Sequence, residues 1–493
     1  MDVDNTTANS EASSPPAKKR SLAEMFWRLL GLKGAPGRGR LDVRVALLAG
    51  EAGLEHSKRL VDAMDKQGGI RVRLLKKTLE VDAHMASEEQ IQQATVVARS
   101  WLQGVNADVL IWGEAPLPGT TLNLRFISAV PDQDDRPSSF GFTQTLHLPI
   151  EITPELLSIL LLTTVAAMEI KDGDKAVLLR ETLTGALETA VPVIQSPPVD
   201  LTSRERSALE FCVGKAIAKV ALHQSSPDLY QTAARHLTEA LAGINKDDAP
   251  FVWATAQMDL GMVLQALIER GDTETMDQTV DAYRAALTLL TKFEYPKEWA
   301  ISNHRMGQVL YMLERESGDT EMLKHALTSY QSALQVFTRA ESPDVWAEIM
   351  NDFARAAQIL GEHLRNQELI QSAIDACRSA LEVRTREKHP LWWAATKNNL
   401  ASALFMLAKQ GRGTEELEEA AEVFAEVRDL YEERNATRQA EISEKNLSRV
   451  VKLLEKRGSR GVPKMKWEQE AERKEEARAG IEAKEEDDDA ESN

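Results

Sequence analysis

From Thr202 to Leu454 apolar residues recur every three or four positions with few breaks, the spacing that lines one face of a helix. Upstream the period changes. Val43, Val45 and Leu47 alternate up to Gly50, 56–66 has helical spacing, and 70–81 alternates again. A second helix is predicted over 88–105, and a buried strand begins at Val109–Ile111. Leu122, Leu124 and Phe126 alternate, 140–148 predicts one more strand, and 154–170 closes as an apolar helix. The order β-α-β-α-β-β-β-α predicts a small α/β domain with a mixed sheet, followed by an all-α region.

Within the all-α region the pattern repeats. Trp253, Trp299, Trp346 and Trp393 are spaced by 46, 47 and 47 residues. An alanine follows each (Ala254, Ala300, Ala347, Ala394), and a proline stands three residues before each (Pro250, Pro296, Pro343, Pro390). Proline needs no backbone donor in a first helical turn, so it marks a helix start. Seven residues beyond each Trp comes Leu260, Met306, Phe353 or Leu400, then a small residue, Gly261, Gly307, Ala354 or Ala401. Each copy continues into a second helix with Thr279, Ala326, Ala373 or Ala420. Tyr283, Tyr330, Cys377 or Phe424 follows four later, then Ala286, Ala333, Ala380 or Val427. Small residues let paired helices approach while the larger side chain fills the gap. A degenerate copy is predicted over Ser203–Leu222 and Asp228–Leu241, and a capping helix over Glu441–Leu454.

Leu260-Gly261 with Leu264, and Ala326-x3-Tyr330-x2-Ala333, resemble the two signature elements of the tetratricopeptide (TPR) family. The resemblance covers roughly residues 202–456, with a longer period than the family's 34 residues. The excess is expected at the start of the first helix and in the turn between helices, around Gly271-Asp272-Thr273 and Gly318-Asp319-Thr320. A HEAT or armadillo solenoid has the right length and ranks second, because the small-residue signature is closer to the TPR pattern. More weakly, Ala107–Glu114 followed by Leu122–Phe126 resembles the amino-terminal α/β domain of TolB-like proteins. That family often joins such a domain to helical repeats.

The TPR resemblance implies a concave groove lined by the first helix of each pair. Its positions fall here on Met258, Met262 and Gln265, then His304, Gln308 and Tyr311. The third copy gives Asn351, Arg355 and Gln358, and the fourth Asn398, Ser402 and Phe405. This mixed, mostly uncharged set lacks a basic clamp for an acidic peptide, and suits an extended or helical segment with apolar anchors. Trp253, Trp299, Trp346 and Trp393 are read as packing between repeats.

Composition narrows the remaining choices. Hydrophobic residues make up 43% and aromatics 5%, a balance that favours packed helices. The net charge of -18 disfavours nucleic acid and anionic lipid. Cys212 and Cys377 sit on apolar faces and predict buried free thiols in a reducing, cytoplasmic setting. No two histidines share helical metal-pair spacing, Gly50-Glu-Ala-Gly53 lacks the ending of a phosphate loop, and no nucleophile motif occurs. Neither catalytic residues, nor a metal, nor a cofactor is therefore expected.

The expected organisation is a disordered 1–40 with an amphipathic Leu22–Leu32, an α/β domain over 41–170, a linker over 171–201, the repeat array over 202–456, and a charged, disordered tail over 457–493. The function expected is a non-enzymatic scaffold that binds a protein or peptide segment in the groove. Two alternatives stay open: a sensor whose α/β domain binds a small ligand while the repeats dock effectors, and an assembly factor with weak membrane contact through 22–32. The oligomeric state is open.

Overall fold

The computed structural model describes residues 40–457, except 82–87, 116–120, 132–137, 139, 142–143, 171–172, 197–200 and 412–413. The expected amphipathic segment 22–32 and the tail beyond 457 lie outside the described residues. Two compact units divide between Val199 and Asp200.

The first unit begins β1 (Leu41–Ala46), α1 (Gly53–Met64), β2 (Ile70–Leu75), α2 (Glu88–Gly104), β3 (Val109–Glu114). It continues β4 (Thr121–Ser128), β5 (Leu146–Pro149), α3 (Pro154–Ala166). One sheet of order β2-β1-β3-β4-β5 results, with β1 parallel to β2 and β3, and antiparallel pairing from β3 through β5. The mixture follows from the connections: α1 and α2 return the chain to the same end for parallel pairing, which a short hairpin cannot do. Since β2 and β3 flank β1 on opposite sides, right-handed crossovers put α1 and α2 on opposite faces. Leu110, Trp112 and Ile127 accordingly pack with Ala94, Ala98 and Leu102 of α2.

Three edges differ from the sequence reading. The strand expected over 70–81 ends at Leu75, before Lys76-Lys77; the strand over 140–148 pairs only from Leu146; the helix over 154–170 ends at Ala166. The larger correction concerns 171–201. That stretch is not simply a linker, for it carries α4 (Gly173–Gln195), packed on α3. Leu179, Leu183, Ala190 and Val193 are buried along one helical face. Pro192 lies in the last turn of α4.

The second unit is a tandem array of helix pairs, TPR-like in build. α5 (Ser203–Gln224) and α6 (Pro227–Gly243) form the degenerate first pair. Four pairs follow: α7 (Pro250–Ile268) with α8 (Met276–Leu287), α9 (Pro296–Ser317) with α10 (Thr320–Ala333), α11 (Pro343–Leu364) with α12 (Gln367–Leu381), and α13 (Pro390–Gln410) with α14 (Glu415–Glu433). α15 (Thr437–Lys456) packs on α14 and is the last element of the described residues. Thr202 opens the array with a reciprocal cap, its hydroxyl accepting from the Glu205 amide while the Glu205 carboxylate accepts from the Thr202 amide. Among the described residues α7 alone is long and apolar enough to cross a membrane, and 78% of that apolar stretch is buried inside the array. Packing against α6 and α8 accounts for its composition.

The repeated Pro-x-x-Trp produces one backbone geometry four times. Ala249, Tyr295, Ser342 and His389, each just before the proline, share φ near -139° to -137° and ψ of 61° to 63°. Each accepts a hydrogen bond from the Trp amide four residues on, at 2.8–3.0 Å. The extra length over the TPR unit resides in the long first helices, 19–22 residues, and in the connections 288–295, 334–342 and 382–389. The turn inside a pair, expected to be extended, shrinks to 318–319 and 365–366 in the middle copies. Gly318 closes α9 in the left-handed region at φ 71°.

Close packing inside each pair follows the small residues. Thr279, Ala326, Ala373 and Ala420 are fully buried, as are Tyr283, Tyr330, Cys377 and Phe424 to within 1%. A Cβ on Gly261 would stand 2.8 Å from the Tyr283 ring, and one on Gly307 2.7 Å from the Tyr330 ring. Where the facing residue is Cys377 or Phe424, the chain carries Ala354 or Ala401 instead. Both cysteines are buried free thiols, and burial pushes each up to about 12. Neither is a ready nucleophile at neutral pH.

Candidate functional site

First helices of successive pairs touch one another, α7 with α9, α9 with α11 and α11 with α13. Polar side chains bind them into a lateral ladder. Lys215 of α5 donates to both carboxylate oxygens of Asp259 on α7 at 2.8 Å, with both side chains at most 2% exposed. Further along, the Tyr283 hydroxyl donates to Gln265 Oε1 at 2.9 Å, and Gln265 Nε2 donates to Gln308 Oε1 at 2.9 Å. Gln308 Nε2 donates to Asp352 Oδ2 at 2.8 Å. Asn399 Nδ2 donates to Asn351 Oδ1 at 2.9 Å. Buried polar groups that satisfy one another fix the mutual position of the helices, because any slip would strand a donor or acceptor in a low-dielectric interior.

A cleft of about 430 Å³ opens over the middle of this ladder, lined by residues of α7, α8, α9, α10 and α11. Ile268, Met276, Met312 and Tyr330 supply apolar wall, and Gln308, Tyr311, Asp352 and Arg355 converge on it. The Arg355 guanidinium stands 4.5 Å from the Tyr311 ring centre and 3.5 Å from Asp352 Oδ1. Burial opposes its charge, yet Tyr311 and Asp352 hold it above its ordinary value. Burial likewise opposes the Asp352 carboxylate, but His304, Arg355 and the Gln308 amide together keep it below the usual range. Burial pushes the Tyr330 hydroxyl well up, so it stays protonated at the floor. The cleft thus offers a flat cation–aromatic pair and flexible methionines above a fixed polar base, equipment for gripping a side chain that is part apolar and part polar.

Eight of the groove residues expected from sequence separate into three groups. Gln308, Tyr311 and Arg355 line the cleft together. His304 and Asn351 do not face it openly: they are 2% and 8% exposed and lie between first helices. Their register position turns inward once neighbouring helices pack side by side. Gln358, Asn398 and Ser402 are half-buried and do not line this cleft; Ser402 Oγ donates to the Asn398 carbonyl at 2.8 Å. Of the four tryptophans, Trp393 belongs to the array core at 7% exposed, and Trp253 and Trp299 pack partly buried against it. Trp346 is half-buried, with the Arg339 guanidinium 5.8 Å from its ring centre.

Sequence reading missed the column just before the large apolar residue of each copy, namely Asp259, Arg305, Asp352 and Asn399. Its signal was present, since all four are polar and sit directly beside Leu260, Met306, Phe353 and Leu400. A second missed column precedes each Trp by seven: Lys246, Lys292, Arg339 and Arg386. Three of them lie over the Trp that follows. Each also reaches the next copy, at Thr288, Gln335, Glu382 and Glu433.

Neither a protein-family model nor a curated protein matches this chain. Among solved structures, the human IFIT1 dimer with PPP-AAAA is similar at 11% identity, covering 81% of this chain and 80% of that one, with a TM-score of 0.30. A circular tandem repeat protein with novel repeat topology and enhanced subunit contact surfaces is similar at 14% identity, covering 62% of this chain and 87% of that one, with a TM-score of 0.23. Likeness at these scores carries no argument about this chain, whose repeat architecture rests on its own fourfold register.

Proposed function

We propose that this chain is a non-enzymatic scaffold whose helical array binds an extended or helical segment of a partner protein. The observation that carries the reading is the convergence of Gln308, Tyr311 and Arg355 on one cleft with Met276, Met312 and Ile268. Aromatic and Arg side chains dominate the energetics of protein interfaces, and methionines adapt to apolar anchors. The base beneath them is tied through Gln265, Gln308 and Asp352, so little ordering is left to do on binding. The amino-terminal unit, with its TolB-like resemblance, belongs to this reading as a companion module.

The full chain, used as bait, should capture a partner that the Tyr311→Ala, Arg355→Ala double variant captures far less well. Equal capture by a double variant of unchanged helicity would move the contact away from this cleft.

A further inference from the structure

Beneath the cation–aromatic pair, the cleft floor gathers three side chains with metal-binding atoms. His304 comes from α9, and Glu348 and Asp352 stand one turn apart on α11. One ligand atom from each lies within 4.8 Å of the other two. Both carboxylates line the cleft, whereas His304 is 2% exposed.

The contacts around Gln308 define the geometry there. Gln308 Oε1 accepts from Gln265 Nε2 at 2.9 Å and from Arg305 Nη1 at 3.3 Å, which fixes the orientation of the amide. Its Nε2 must then point the other way, 2.8 Å from Asp352 Oδ2 and 3.2 Å from His304 Nε2. His304 Nε2 is also 3.3 Å from Asp352 Oδ2. One imidazole nitrogen cannot accept from Gln308 and donate to Asp352 at once. If it carries the proton, it donates to Asp352 Oδ2 beside Gln308, two donors sharing one oxygen; if it does not, its lone pair faces that oxygen across 3.3 Å.

A cation seated between His304 Nε2 and Asp352 Oδ2 takes the place of that proton and accepts one lone pair from each. The separation suits one: ligand atoms about 2.0–2.1 Å from a tetrahedral metal stand about 3.3–3.4 Å apart. Asp352 directs Oδ1 at Arg355, and Oδ2, which accepts from Gln308, keeps a second lone pair for the site. We infer that His304, Glu348 and Asp352 bind one divalent transition cation of the zinc class, with the remaining coordination position open to the cleft. Two nitrogen–oxygen ligand types of this kind suit zinc, and are softer than the all-oxygen cages that calcium or magnesium prefer. Arg355 and Arg384 lie near the carboxylates and offset part of their charge, so affinity is set below that of a closed structural site.

A second cluster of this composition among the described residues, Glu210, His236 and Glu239, differs in one respect. There Glu210 holds His236 Nδ1 at 2.6 Å, the Arg235 guanidinium faces His236 Nε2 at 3.1 Å, and Arg235 also pairs with Glu239 at 3.0 Å. An arginine already occupies the cation's place, which makes that cluster the internal control.

The test needs no partner and leaves Tyr311 and Arg355 untouched, so its outcome is independent of the scaffold reading. The full chain is stripped with chelator and titrated with Zn2+ by calorimetry, and Co2+ is followed by its visible ligand-field absorption. The wild-type chain and Glu239→Gln should each bind one equivalent, with the intense bands of low-coordinate Co2+. Glu348→Gln, at the half-buried cleft wall, should weaken binding at least tenfold without loss of far-ultraviolet helicity. No Zn2+ binding by the wild-type chain, equal binding by Glu348→Gln, or loss in Glu239→Gln instead would overturn the assignment.

Discussion

Gly307 shows how one atom can set the spacing of two helices. An added methyl would meet the Tyr330 ring at 2.7 Å, and that ring is 1% exposed, with little room to retreat. Gly307→Ala should therefore destabilise the chain by about 1–3 kcal/mol, the usual cost of overpacking. Urea denaturation checks this, and an unchanged midpoint would mean that the ring yields freely. The tryptophans make a graded comparison. Trp393→Ala truncates a core side chain and should cost about 3–5 kcal/mol. Trp346→Ala, at a half-buried ring, should cost less, about 1–2 kcal/mol, in the range of ordinary substitutions. Equal losses in the same denaturation series would show that exposure does not rank them. Sequence alone placed all four rings in equivalent register, because the Pro-x-x-Trp spacing repeats. It could not rank them, since burial depends on neighbouring side chains that differ between copies.

At the level of elements, the internal repeat made the array legible. A large apolar residue and a small one recur at fixed distances from each Trp, and all three second-helix columns end up buried. The α/β unit was legible in order for a similar reason: a change from alternating to helical period marks each boundary. α4 was obscured because the prolines Pro192, Pro197 and Pro198 outweighed its buried face of Leu179, Leu183, Ala190 and Val193. The polar ladder was obscured differently. Gln265, Gln308 and Asp352 lie in three separate copies, and only the side-by-side packing of α7, α9 and α11 joins them. Their links predict coupling. Gln265→Ala removes hydrogen bonds to both Tyr283 and Gln308, and should cost about 1–3 kcal/mol for the two bonds lost. Combined with Gln308→Ala it should cost less than the two single losses added together, which a double-mutant cycle by chemical denaturation reads directly. Strict additivity would mean that the ladder does not act as a unit.

Across the whole molecule, the division at Val199 and Asp200 separates a sheet-centred unit from an array whose contacts run between neighbouring pairs. Arrays of this kind gain stability from each pair and from each interface with the next. A fragment spanning 200–457 should accordingly be soluble and strongly helical by circular dichroism, starting as it does at the Thr202 cap. An unfolded fragment would show that the two units share one core. The central claim is that the cleft around Tyr311 and Arg355 grips a partner segment. It is tested most directly by calorimetry of the captured partner against the wild-type chain and the Tyr311→Ala, Arg355→Ala variant. The account predicts at least tenfold weaker binding, about 1.4 kcal/mol, with helicity retained. Unchanged affinity in a folded double variant would contradict it.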